Sequence, residues 1–234
     1  MADRPILFSA PMVRALLNGS KTQTRRILKP QPFADGFYEG DIDCTFVPAP
    51  ASNLSAYARF GAAAVGGGAV RTETFTPRFT AGDRLWVREA HALLPRTAYR
   101  GSIGTGTIAQ REHPTDGYTA AVFREGFDRS GRPQWRPSIH MPRWASRLTL
   151  TVTDVRVERL QDISEADAQA EGVERDSDGW RDYQMRSTQC CAWPKTSFLT
   201  LWNSINGINS WSANPWVAAY TFKVEHRNID AGAS

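Results

Sequence analysis

The sequence predicts a mixed α+β fold made mainly of short strands, closed as a small β-barrel with short flanking helices and irregular insertions. Period-two alternation of apolar residues recurs in several short runs, and helical periodicity is confined to a few brief stretches. Strands and helices also fail to alternate as a doubly wound parallel sheet would require. With 234 residues, 41% of them apolar, the chain can bury one substantial core, so a single domain over 1–234 is expected.

The first element is a short strand at Pro5 to Phe8. A helix follows, its start marked by Ser9 and Pro11, its end by Gly19, and its apolar face by Val13, Leu16 and Leu17. From about 30 to 77 the text becomes PQP, PAPA and GAAAVGGGA, which reads as a low-complexity insertion with little to bury. At GDRLWVREAH a Gly-Asp turn opens a strand with Leu85 and Val87 on one face and Arg84, Trp86 and Arg88 on the other. A second irregular loop covers about 95–117.

RLTLTVTDVRVERL alternates through Leu148, Leu150 and Val152, then resumes one residue out of phase at Val155 and Val157, so a bulge or bend is expected near Asp154. Ser164 and Asp167 resemble a capping box opening the helix EADAQAE, which Gly172 stops. A last helix at about Thr196 to Ile205 presents Phe198, Leu199 and Trp202, and WVAAYTFKVE closes the pattern as a strand. Trp202 and Trp216 read as core.

Composition removes several function classes. Cys44, Cys190 and Cys191 cannot make a disulfide framework, and reduced thiols are expected. The four histidines are scattered and no CxxC or HxxxH spacing occurs, so a metal site is not expected. No run of eighteen apolar residues and no secretory leader is present, which points to a cytoplasmic protein without a membrane partner. A net charge of +4 permits phosphate contact but is too slight for a dedicated duplex binder.

The densest chemistry lies in Asn18-Gly-Ser-Lys-Thr-Gln-Thr-Arg-Arg26. Lys21 and Thr24 would share a side on helix-like backbone and oppose each other on a regular strand. Together they make a candidate base and nucleophile; a solvated basic turn is the other reading. A phosphate loop of the GxxxxGK[ST] type is excluded by the missing glycines.

Gly19-x-Lys21-x-x-Thr24-x-Arg26, the GDRLWVRE strand and the tryptophan-rich closing strand resemble the ASCH domain superfamily, whose barrel is related to the PUA RNA-binding fold. WRPSIHMPRWASRLTLTVTDVRVERLQDISEADAQAEG and LWNSING with NPWVAAYTFKV resemble a long ASCH-like branch common in phage and prophage genomes. Within that superfamily the small bacterial N4-acetylcytidine amidohydrolases use a lysine, a threonine and a glutamate. The resemblance implies Lys21 and Thr24 for the first two and Glu171 for the third, with Glu165 or Glu89 as alternatives.

On that resemblance, Thr24 would attack the acyl carbonyl of an N4-acylated cytosine nucleoside while Lys21 takes its proton. Lys21 must then be neutral, so its pKa has to fall from about 10.4 by roughly three units through burial and the nearby charges of Arg25 and Arg26. Glu171, near the negative end of a helix dipole, would return a proton to the departing amine. Substrate contacts are expected from Arg25, Arg26, Arg88, Glu89, Ser138 and Trp144, the last two within the aromatic-basic stretch WRPSIHMPRW, which could equally anchor the long strand. The partner is then a small nucleoside. Two other readings remain: an RNA-binding module, with or without ribonuclease activity, and a phage accessory protein that keeps the fold without catalysis.

Overall fold

The computed structural model describes residues 2–34, 42–47, 57–62, 71–100, 103–104, 108–185 and 190–231. In chain order the elements are β1 (Asp3–Leu7), α1 (Ala10–Leu17), β2 (Gln23–Ile27), β3 (Asp43–Val47), β4 (Tyr57–Ala62), β5 (Arg71–Phe75), β6 (Arg84–Arg88) and β7 (His91–Pro95). They continue with β8 (Gln110–Glu112), β9 (Thr119–Phe123), β10 (Thr149–Arg159), α2 (Glu165–Ala170), β11 (Arg175–Asp176), β12 (Gly179–Arg181), β13 (Cys190–Cys191), α3 (Pro194–Asn206) and β14 (Trp216–Glu225). The chain is α+β and rich in strands, as expected, but among the described residues its sheets are open and none closes into a barrel. No described helix is long and apolar enough to cross a membrane.

The chain divides into two compact units, each assembled from separate segments: Met1–Gly19, Gly82–Thr151 and Lys223–Ser234 form the first, and Ser20–Ala81 with Val152–Phe222 form the second.

In the first unit β6 is central. It pairs in parallel with β1, Asp3 opposite Arg84, and antiparallel with the start of β10, Trp86 opposite Thr149. Leu85, Trp86 and Val87 are all buried, so both faces of this strand are covered, which the expected one-sided alternation did not include. In α1, Val13, Ala15 and Leu16 are buried, Pro11 sits in the first turn, and Gly19 takes φ +78° just beyond the end. The stretch 95–117 is not wholly irregular: Gln110–Glu112 pairs with Ala120–Val122 of β9, which also pairs with β7.

In the second unit the order is β10, β14, β2, with β14 and β2 antiparallel. Strand β14 is buried from Trp216 through Tyr220 on both faces, as a central strand should be. In β10 the apolar phase shifts as expected: Val152 is buried, Thr153 and Asp154 are exposed, and Val155 is buried again, within one unbroken strand. A core of Leu160, Ile163, Ala168, Val173, Phe198, Leu201, Trp202 and Val217 joins α2, α3 and β14.

The insertion expected at 30–77 contains a sheet. β3, β4 and β5 form an antiparallel meander, and Phe60, fully buried, meets Phe75 and Trp216 edge-on at 5.4 and 4.9 Å. Two short runs, YARFGA and RTETF, supply the alternation and β-prone residues that the flanking Gly, Ala and Pro obscure. The PAPA and GGGA runs lie outside the described residues.

Candidate active site

All three residues expected to react lie in the second unit. The chain reaches them through Lys21, which forms an isolated antiparallel bridge with Glu171. Thr22 then donates its N–H to the Ala170 carbonyl at 2.8 Å, and its own carbonyl accepts from Phe222 at 2.9 Å. From Gln23 the backbone is regular strand. The segment is thus extended rather than a solvated turn, because its polar backbone groups are claimed by α2 on one side and β14 on the other.

Helix α2 aims the acid. Ser164 caps it by accepting the Asp167 N–H at 3.0 Å, and Glu171 is its last, half-helical residue, with φ −69° and ψ −9°. Gly172 follows at φ +82°, the left-handed turn that lets the chain leave the helix. Glu171 is 2% exposed and Lys21 is 0% exposed. The Lys21 ammonium donates to Oε2 of Glu171 at 2.8 Å and to its backbone carbonyl at 2.7 Å. Burial drives the pKa of Lys21 down; Glu171 opposes this, while the charges of Arg26 and Arg25 reinforce it. Of the three carboxylates considered, Glu171 is the one that meets Lys21. Glu165 is exposed and accepts the Lys195 backbone N–H, and Glu89 belongs to the first unit.

Thr24 is 2% exposed on β2, directly opposite Tyr220 of β14. Strand alternation gives Thr24 and Arg26 one face, shared with Tyr220, and gives Gln23 and Arg25 the other, where Gln23 donates to Thr221 Oγ1 at 3.1 Å. Lys21 precedes the regular strand and bridges α2 instead, so the alternation of β2 does not dictate where its side chain goes. Arg26 is lowered in pKa by burial, with the Glu171 charge opposing and the Arg78 charge adding. Burial pushes the Tyr220 phenol upward, against hydrogen bonds with the Phe79 and Arg78 backbone.

Arg25, expected as a substrate contact, is held by side chains of the protein itself. Its guanidinium is fully buried and engaged by the protein: Nε donates to Glu158 Oε1 at 2.9 Å, Nη1 donates to Gln23 at 2.7 Å and to Glu171 Oε1 at 3.2 Å, and Nη2 lies 2.7 Å from Glu158 and 3.3 Å from Asp167. The short Nη2 contact with Glu158 is an ion pair without hydrogen-bond alignment, so charge rather than geometry holds that end.

The other expected substrate contacts, Arg88, Glu89, Ser138 and Trp144, are in the first unit and make structural contacts there. Arg88 donates to the Met141 carbonyl at 3.1 Å and lies over the Trp86 ring at 4.9 Å. Glu89, 2% exposed, takes both nitrogens of Arg147 at 2.8 Å. Ser138 opens a 3-10 turn whose end is the fully buried Met141. Trp144 packs against Ala121, Phe123, Met141 and Ala145. The aromatic-basic stretch is in these contacts an anchor. Sequence reasoning missed Glu158, Asp167 and Tyr220; the four-residue spacing of Asp167 and Glu171 on one helix face was a usable signal for the second.

No protein-family model matches the chain, and no curated protein or solved structure is significantly similar to it.

Proposed function

We propose that this chain is an ASCH-type amidohydrolase that removes the acyl group from N4-acylated cytosine nucleosides, using Lys21, Thr24 and Glu171 and no metal or organic cofactor. The observation that carries the reading is the buried Lys21–Glu171 contact, made across 150 positions of sequence between residues that the motif had singled out separately. Buried amine–carboxylate pairs are expensive to desolvate, and perturbed ionisable pairs concentrate where chemistry is done.

In the reaction Thr24 Oγ bonds to the acyl carbon as Lys21 takes the hydroxyl proton. The tetrahedral intermediate collapses with cleavage of the bond to N4, and the proton reaches that nitrogen through Glu171, giving cytidine and an acyl-threonine ester. Water, deprotonated by the same pair, then releases the carboxylic acid and restores Thr24. Arg26, which strand alternation puts on the face of Thr24, would stabilise the oxyanion in this reading. The barrel closure of that superfamily belongs to this proposal.

Incubation with N4-acetylcytidine, followed by chromatography, tests it. Cytidine and acetate should form in equal amounts and should vanish in Thr24→Ala; wild-type conversion no faster than that variant would end the reading.

A further inference from the structure

Resting on that reading, we propose that Arg25 is the positioning residue of the site: its guanidinium clamps Asp167 and Glu171, four apart on α2, together with Glu158 on β10, and so holds one Glu171 oxygen while the other meets Lys21. Four residues on a helix bring two carboxylates to one side, and a planar fork with several fixed donors can span them as an ammonium cannot. The distances follow this division of labour. Glu171 Oε1 lies 3.2 Å from Arg25 Nη1, and Oε2 lies 2.8 Å from Lys21 Nζ.

The guanidinium is itself immobilised. Glu158 takes Nε at 2.9 Å, Gln23 takes Nη1 at 2.7 Å, and Gln23 is pinned to Thr221 at 3.1 Å. Asp167 is shared with Arg156, which lies 3.1 Å from both of its oxygens, so the clamp is closed on its outer side by a second arginine. Without Arg25 the buried Glu171 carboxylate would keep Lys21 and the nearby charge of Arg26 but lose the guanidinium that holds Oε1, and would turn further toward the Lys21 ammonium. The amine would then keep its proton, and a lysine that keeps its proton is no base.

The test compares Arg25→Gln and Arg25→Lys in the full chain, reading kcat and KM for N4-acetylcytidine, the pH profile, and the titration of Lys21 by NMR of 13Cε-labelled lysine. In Arg25→Gln the Lys21 midpoint should rise by about one pH unit, the pH profile should move with it, and kcat near neutral pH should fall about tenfold with KM nearly unchanged. Arg25→Lys restores the charge but not the fork, so the midpoint should return toward wild type while kcat stays low. A lysine variant with wild-type kcat, or a Lys21 midpoint unmoved in Arg25→Gln, would overturn the proposal.

If the wild type does not turn over N4-acetylcytidine, the hydrolase reading fails, and the NMR midpoints still decide the role of Arg25. Should the Arg25 variants fail to fold, Asp167→Asn and Glu158→Gln loosen the clamp from its rim and should shift the same midpoint upward by a smaller amount; no shift in either would refute the clamp.

Discussion

The Lys21 ammonium lies 2.8 Å from Oε2 of Glu171, with 0% and 2% of the two side chains exposed. Neither group has solvent to fall back on: the ammonium relies on Glu171, and the carboxylate on Lys21 together with Arg25.

Removing one partner should therefore be costly. Glu171→Leu should lower unfolding free energy by about 3 kcal/mol, because it strands a buried amine, whereas Lys21→Met combined with Glu171→Leu should recover most of the loss. Urea denaturation of the single and double variants measures this. Strictly additive losses would show that the pair is not coupled.

Because burial, Arg26 and Arg25 together lower the Lys21 pKa from 10.5, the base should become available below the pH at which an exposed lysine deprotonates. Hydrolysis should rise with pH through that lowered midpoint. Arg26→Gln removes a charge that pushes the midpoint down, so the rising limb should move to higher pH, as a kcat/KM profile would record.

His91, fully buried, has an Nε2 without a hydrogen-bond partner among the described residues, and burial lowers its pKa from 6.5. The fold thus favours the neutral ring, while the unfolded chain protonates it near pH 6.5. Stability contributed by the neutral ring should be complete above that pH and should fall as pH drops below it, by at most about 1.4 kcal/mol per unit until the folded pKa is reached. His91→Leu should flatten this dependence in equilibrium unfolding between pH 5 and 7 (a range about the ordinary His value); an unchanged slope would assign it to other groups.

Phe60→Ala should cost about 3–5 kcal/mol, since its ring is fully buried between Phe75 and Trp216. Thermal or urea unfolding reads the loss. A change below about 1 kcal/mol would mean that the 43–75 meander contributes little to the second unit.

What the sequence made legible was local. Capping at Ser164, the stop at Gly172 and the phase slip before Val155 are written in neighbouring residues, and each appears where expected. Helix α3 starts two residues before its expected start because Pro194, lacking an N–H, is at home in a first turn. The convergence of Lys21 and Glu171 was anticipated through a resemblance, since nothing in residues 150 positions apart signals proximity. Hidden from view were the long-range claims on side chains. Arg25 and Arg26 are neighbours of like charge in the text, yet opposite strand faces give Arg25 three carboxylate partners and place Arg26 with Thr24 and Tyr220. Arg88 and Glu89 could be read as reaching a pocket or as pairing on the surface, and the text gave no sign of their contacts with Met141 and Arg147, far along the chain.

The first unit draws on 1–19, 82–151 and 223–234, and its late segment is bonded to its middle one: Asn228 donates to the Ser146 carbonyl at 2.8 Å, and Thr149 Oγ1 to that of Arg227 at 2.9 Å. During synthesis, then, residues 1–19 wait for 223–234 before the unit they share can be completed. Neither unit can be set free by one protease cut, and a nascent chain halted before Lys223 would lack the hydrogen bonds that Arg227 and Asn228 contribute.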